Sequence, residues 1–175
     1  MIQTSLTLHT VRGGAPWSVE PIESPAAREL ADRHPSRQTP GARGFIPPGW
    51  RILLRCADRR GSAIWSACRN VFRRVWRWRN TIFRNETSML SSDLVRAATV
   101  ATYAEWIARY RDLPVEPLTT EIDVDATAPR RSRRHEPGHC YLVAGWTFVR
   151  EVPPGHGRGL VHVLAAPSSI ALEAG

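Results

Sequence analysis

The chain contains no lysine. All 24 of its basic residues are arginine, and against 16 acids they leave a formal charge of +8. An exclusive use of arginine points to a GC-rich coding bias, so the total alone is not evidence of a nucleic-acid partner. Cysteine is also scarce: Cys56, Cys68 and Cys140 are odd in number and form no C-x-x-C pair, which fits neither a disulfide framework nor a four-ligand zinc site. A reducing cytoplasm is therefore expected. Long apolar runs are missing as well. The longest uncharged apolar stretch, residues 138–149, includes His139 and falls short of the roughly 20 residues needed to cross a bilayer. The first six residues, MIQTSL, have neither the charged start nor the apolar stretch of a secretory signal. A soluble protein with no membrane association is the expectation.

What is present is a chain of 175 residues, 42% hydrophobic, the right size for a single core. Residues 1–23 carry Gly13-Gly14, Pro16 and Pro21 and read as a short strand at best with extended chain. One domain is expected over 24–168, with a tail at 169–175. Ser24-Pro25 places a capping hydroxyl and a first-turn proline ahead of a helix, which ends near His34 because Pro35 disfavours helical angles before it. Residues 35–49, with four prolines and three glycines, form a loop. Residues 51–56 and 63–68 flank Asp58-Arg59-Arg60-Gly61 as an antiparallel hairpin. Residues 75–84 alternate, with Trp76, Trp78, Asn80 and Ile82 on one face and Val75, Arg77, Arg79, Thr81 and Phe83 on the other.

From Leu90 to Tyr110 the period becomes helical, with Leu94, Ala97/Ala98, Ala101, Ala104 and Ala108 along one face, Asp93 early, and Arg109 and Arg111 late. Residues 118–124 read as a strand, 126–135 as an arginine-rich loop, and 138–144 as a short helix ended by Gly145. Two final strands occupy 147–152 and 160–165. The order predicts a mixed α/β (α+β) domain with a long central helix between two strands and a short C-terminal helix.

Two stretches carry chemistry. In Pro137-Gly138-His139-Cys140-Tyr141-Leu142-Val143-Ala144-Gly145-Trp146 a tyrosine precedes by four residues the glycine that ends its helix, and an aromatic opens the next strand. This Y-x-x-x-G-aromatic ending resembles the last helix of the GNAT-type N-acyltransferases, where the tyrosine faces the carrier's sulfur and can protonate the leaving thiolate. Read from the residues alone, Tyr141 is equally a core aromatic whose hydroxyl finds a partner.

The second stretch, Arg84-Asn85-Glu86-Thr87-Ser88-Met89, stands at the strand-to-helix junction that in the same family holds the pyrophosphate of acyl-CoA. Arg84 matches the family's arginine, whereas Thr87 and Met89 replace its glycines. From the residues alone this is a capped helix start, with Thr87, Ser88 or Ser91 hydroxyls satisfying free N–H groups.

Taken together with Leu30-Ala31-Asp32-Arg33-His34-Pro35-Ser36-Arg37, Pro48-Gly49 and Ser91-Ser92-Asp93-Leu94, these landmarks resemble a phage-associated family of uncharacterised proteins, distantly similar to the Mom-type DNA-modification proteins that act on adenine. The similarity covers about residues 26–166, with Pro35 standing where an aromatic is expected after His34. It implies a GNAT-like mixed sheet and an acyltransferase or related group-transferase acting on nucleic acid. In that comparison Arg84, Asp123 and Tyr141 fit the functional places, residues Arg84 to Met89 would bind the carrier, and acyl-CoA is the implied cofactor. Acyl transfer to an amine needs a base, a donor for the oxyanion and an acid for the thiolate. Asp123, or Glu121 on the same strand face, suits the base, although an acidic, solvated strand edge accounts for either carboxylate.

Charge is unevenly distributed. Residues 51–84 hold ten arginines against one acid, Asp58, a net of +9, while 85–129 hold three arginines against eight acids, a net of −5. Trp65, Trp76 and Trp78 are interleaved with those arginines. Such a pattern can stack bases and neutralise phosphates, or it can be a core face backed by a solvated one. Arg130, Arg131, Arg133 and Arg134 form a compact cationic run suited to nucleic acid or a ligand phosphate. His135, His139, Cys140, His156 and His162 do not share one helix face, and no metal site is expected. The alternative to a transferase is a non-catalytic basic phage protein that binds nucleic acid or a protein partner.

Overall fold

The computed structural model describes residues 18–23, 25–27, 29, 50–58, 60–72, 75–110, 117–127, 136–155 and 159–168. It is a mixed α/β architecture in which one largely antiparallel sheet carries a long helix. The strands are β1 (Ser18–Pro21), β2 (Trp50–Asp58), β3 (Gly61–Phe72), β4 (Val75–Asn85), β5 (Thr119–Asp123), β6 (Thr147–Val152) and β7 (Val161–Ala165). The helices are α1 (Ser91–Tyr110), a single turn α2 (Val124–Thr127) and α3 (His139–Val143). The seven strands lie in the order β1-β2-β3-β4-β5-β7-β6. Residues 25–27 and 29 are helical, and the rest of the helix expected up to His34 lies outside the described residues. Among the described residues no helix is long and apolar enough to cross a membrane.

The hairpin, the alternating strand and the long helix form where the sequence pattern puts them. The sheet, however, begins at β1, inside the segment read as extended, because Val19 is buried and pairs with Cys56. Val124 leaves the strand that was expected to include it and starts α2. Helix α1 buries more than the alanine stripe. Val95, Thr99, Thr102, Tyr103 and Trp106 are buried beside Leu94, Ala97, Ala98 and Ala101, while Ala108 is exposed. A helix that meets the sheet on one side and α3 on another has no wide polar face. Its buried hydroxyls are satisfied locally: Thr99 and Thr102 donate to the carbonyls of Val95 and Ala98, and Trp65 Nε1 donates to Thr102 Oγ1 at 2.9 Å.

The expected faces of β4 are corrected. The β3–β4 register pairs Ser66 with Ile82 and Ala67 with Asn80, so Thr81 is an extra residue, a β-bulge. One inserted residue reverses every later side chain. Thr81 keeps the Arg79 face, where its hydroxyl donates to Ser66 Oγ at 3.1 Å, and the residues after it exchange faces. Ile82 packs with Leu53 and Ala27, and Phe83 joins Trp78 in the core beneath α1.

Candidate functional site

The bulge prepares the place where the sheet changes character. Strands β4 and β5 are the parallel neighbours among the described strands, and they pair only through Arg79↔Thr119 and Asn80↔Thr120. Both strands continue, β4 to Asn85 and β5 to Asp123, without further shared register. Asn80 is the last shared rung and is buried. Its Nδ2 donates to the carbonyls of Ser66 (3.0 Å) and Ile82 (2.9 Å), and its Oδ1 accepts from Tyr141 (2.6 Å) and, more weakly, from Thr120 Oγ1 (3.4 Å). The amide thus uses both donors and both acceptor sites.

Tyr141 reaches this rung from α3. Gly138 opens that helix at φ +77°, and a β-carbon there would meet Leu164 Cδ1 at 2.9 Å. Gly145 closes it at φ +93°. The Trp146 N–H donates to the Tyr141 carbonyl and the Gly145 N–H to the Leu142 carbonyl, both at 3.0 Å, which is the Schellman arrangement of a helix C-terminus. The Y-x-x-x-G-aromatic pattern therefore has a folding explanation. Gly145 supplies the left-handed residue, and the Tyr141 and Trp146 rings make the apolar contact that usually accompanies this ending, edge to face at 5.0 Å. Trp65 and Phe83 complete an aromatic cage around Tyr141. The ring is 5% exposed, so Tyr141 lies in the interior with its phenol engaged by Asn80, as the core reading of the sequence anticipates.

The other expected residues lie elsewhere. Strand alternation puts Thr120 and Ile122 on the Tyr141 side and Glu121 and Asp123 on the opposite face. Glu121 is held by Arg79 Nη2 at 2.9 Å, an ion pair that ties β5 to β4. Because Phe83 faces Tyr141, Arg84 points away from it, paired across the sheet with Ile64. Arg84 and Asp123 thus share a face that the phenol does not.

The 85–89 junction is a closed turn. Asn85 Oδ1 accepts from Thr87 N and Thr87 Oγ1, Asn85 Nδ2 donates to the Met89 carbonyl and Ser91 Oγ, and Thr87 Oγ1 accepts from Met89 N. The remaining amide, Ser88 N, donates to Asp58 Oδ2 at 2.9 Å, as does the Ser88 hydroxyl. Asp58 Oδ1 accepts from Arg60 N and Gly61 N in its own hairpin turn. The chain's own carboxylate thus sits where a carrier phosphate was expected, and as built these residues do not fit a pyrophosphate.

The Ser88 hydroxyl, followed by the Arg60 N–H, holds the Asp58 carboxyl down at about 2. A carboxyl depressed in the fold adds stability above its unfolded value of about 3.9, and the contribution disappears as pH falls through the folded value. The Tm advantage of the wild-type protein over Asp58→Asn should therefore shrink between about pH 4 and pH 2. A pH-independent difference in thermal melts would contradict the assignment.

Comparison with protein-family models, curated proteins and solved structures returns no match to this chain. Function must be read from the site. Two of the interleaved tryptophans, Trp65 and Trp78, are core residues, each 3% exposed, which removes them as base-stacking surfaces. The side chain of Trp76 and the run Arg130 to Arg134 lie outside the described residues. Among the described residues no three His, Cys, Asp or Glu side chains gather as a metal site. Cys56 and Cys140 are pushed up to about 12 and about 11, chiefly by burial, and Cys68 is raised by the same cause, so the thiols are poor nucleophiles at neutral pH.

Sequence reasoning missed Asn80 as the hub and Thr81 as the bulge. The available signal was an amide on a face otherwise expected to carry Trp76, Trp78 and Ile82.

Proposed function

We propose that the protein is a GNAT-like group-transferase acting on an amine of nucleic acid. The observation that carries this reading is the Tyr141 hydroxyl seated on the last rung shared by β4 and β5. A transferase of this kind needs two neighbouring strands that part beside the tyrosine of its last helix, and the short β4–β5 ladder, which ends where β4 bulges at Thr81, supports that requirement. Bulges of this sort commonly mark functional strands.

In this reading Tyr141 is the acid that returns a proton to the leaving group. Its hydroxyl is buried and already aligned by Asn80, so the proton must be passed when substrate replaces that contact. Asp123 lies across the sheet from it and serves as base or substrate contact at the opposite mouth of the gap, with Arg84 on the same face. Glu121 is the poorer base because Arg79 engages it. Acyl-CoA is the carrier that the resemblance implies. The Asn85–Met89 turn does not fit its pyrophosphate while Asp58 fills the position, so no step is derived through that carrier.

The test is mass spectrometry of nucleosides from the DNA of cells expressing the chain. Wild-type protein should yield a mass-shifted adenine. Tyr141→Phe should reduce it by about 100-fold or more, the usual worth of a positioned acid, while the lost hydrogen bond costs only about 1 kcal/mol of stability. An unmodified adenine pool, or equal modification by Tyr141→Phe, removes the proposal.

A second reading is favoured by one observation, the 5% exposure of Tyr141 within its aromatic cage. There the phenol is purely structural and the protein is a non-catalytic basic binder of nucleic acid or a protein.

A further inference from the structure

The phenol that the proposed chemistry needs is 5% exposed, so a ligand reaches it only if part of the fold moves. Helix α3 is the element in the way. It bridges the β4–β5 seam: a β-carbon on Gly138 would meet Ile122 and Leu164, on β5 and β7, at 3.1 and 2.9 Å, while Tyr141 reaches Asn80 and Phe83 on β4. Beneath it the two strands share the Arg79↔Thr119 and Asn80↔Thr120 rungs and then separate in register. The helix thus covers the place where the sheet's own ladder stops.

Its two ends are built to rotate. Gly138 and Gly145, at φ +77° and +93°, stand one at each end of α3, and glycine passes between left-handed and other backbone angles without the penalty of a β-carbon. A few residues of this kind absorb the rotation when a lid opens. The five-residue helix also has little internal hold. Tyr141 N and Leu142 N both donate to the Gly138 carbonyl, and Gly145 N and Trp146 N donate back to Leu142 and Tyr141, so each of these bonds involves or crosses a glycine. The outer side meets solvent at His139 and Val143, the latter 50% exposed.

The contacts that keep α3 down are specific. Tyr141 donates to Asn80 Oδ1 at 2.6 Å, the rings of Trp65, Phe83 and Trp146 pack on the phenol, and Arg96 Nη2 on α1 donates to the Val143 carbonyl at 3.3 Å. When Tyr141 leaves, Asn80 Nδ2 remains bound to the Ser66 and Ile82 carbonyls. Its Oδ1 is then presented at the seam as an acceptor of fixed orientation.

We infer that α3 is a cover hinged at Gly138 and Gly145 and latched by Tyr141 on Asn80, and that its opening uncovers the β4–β5 seam. The purpose of the motion rests on the transferase reading. The motion itself is measurable without substrate, so either can fail alone.

The test is residue-resolved amide hydrogen exchange of the intact protein, in water and in urea below the unfolding transition. The amides of Tyr141, Leu142, Gly145 and Trp146 should exchange at least about 10-fold faster than those of Val95 to Tyr103 in α1, with little dependence on urea, as local openings do. Tyr141→Phe, which releases the latch, should speed them about 5-fold further. Gly61→Ala, a destabilising change at the β2–β3 turn, should speed exchange in α1 by about 30-fold or more and leave α3 unchanged, because the contacts it disturbs survive the opening. Exchange of α3 in step with α1 in the wild type, equal acceleration of both by Gly61→Ala, or no response of α3 to Tyr141→Phe would each overturn the inference.

Discussion

Replacing Asn80 with alanine should cost about 3–4 kcal/mol, because the loss is not one hydrogen bond but the closure of a buried hub. The Ile82 carbonyl loses the amide donor, the Ser66 carbonyl keeps only the longer Thr81 contact, and the Tyr141 hydroxyl loses Asn80 Oδ1, while Thr120 keeps the Asn80 backbone carbonyl. The cost follows because these groups are buried and lose a partner without gaining solvent. At about 2–4 °C per kcal/mol for a chain of this size, Tm should fall by about 10 °C. Amide exchange would locate the damage: protection should fall first at Thr120, on the last rung β5 shares with β4, and at Ile82 just past it. A variant that melts within a degree of wild type would show that Tyr141 is held by its aromatic cage and not by the amide. It would also take away the alignment on which the acid role of the phenol rests.

The second large effect is expected at Gly61, at the start of β3. A β-carbon there would stand 1.9 Å from the Glu86 carbonyl oxygen and 2.7 Å from its carbon. Both are backbone atoms, and the segment cannot easily retreat, since Glu86 N donates to the Ser62 carbonyl and Ser88 is fastened to Asp58. Overpacking against backbone should cost Gly61→Ala about 2–3 kcal/mol, or about 5–10 °C in Tm. Gly155→Ala is the control, because a β-carbon there meets nothing within 4 Å. Equal melting of the two variants would mean that the hairpin turn is not seated on the 86–88 segment. Gly61→Ala should also free Ser88 from Asp58, making the turn that leads into α1 the first part of the molecule to respond.

These two positions differ in how far the sequence discloses them. Gly61 is visible as a hairpin glycine, but its need for close approach to Glu86 depends on a residue 25 positions away. Asn80 is visible as an amide on an otherwise hydrophobic face. That it is the end of a parallel ladder is not visible, because its partner Thr120 arrives by way of the whole of α1. The same limit governs the chemistry-bearing motif. Tyr141, Gly145 and Trp146 are legible as a helix ending, and the Schellman geometry fulfils that part locally. Whether the phenol meets a cleft or a partner depends on β4 and β5, which the motif does not contain.

Local pattern by itself determined the β2–β3 hairpin, the run of β4, the span of α1 and the short helix before Gly145. Turn chemistry and hydrophobic period act over a few residues and need no distant partner. Only the tertiary structure decided the bulge at Thr81 and the reversal of faces that follows it, the capture of the 85–89 amides by Asn85, Thr87 and Asp58, the separation of Tyr141 from Asp123 and Arg84, and the exposure of Trp50 while Trp65 and Trp78 are buried. Each of these is a register or burial outcome set by which strand lies alongside, and a shift of one residue in register exchanges the core face for the solvent face.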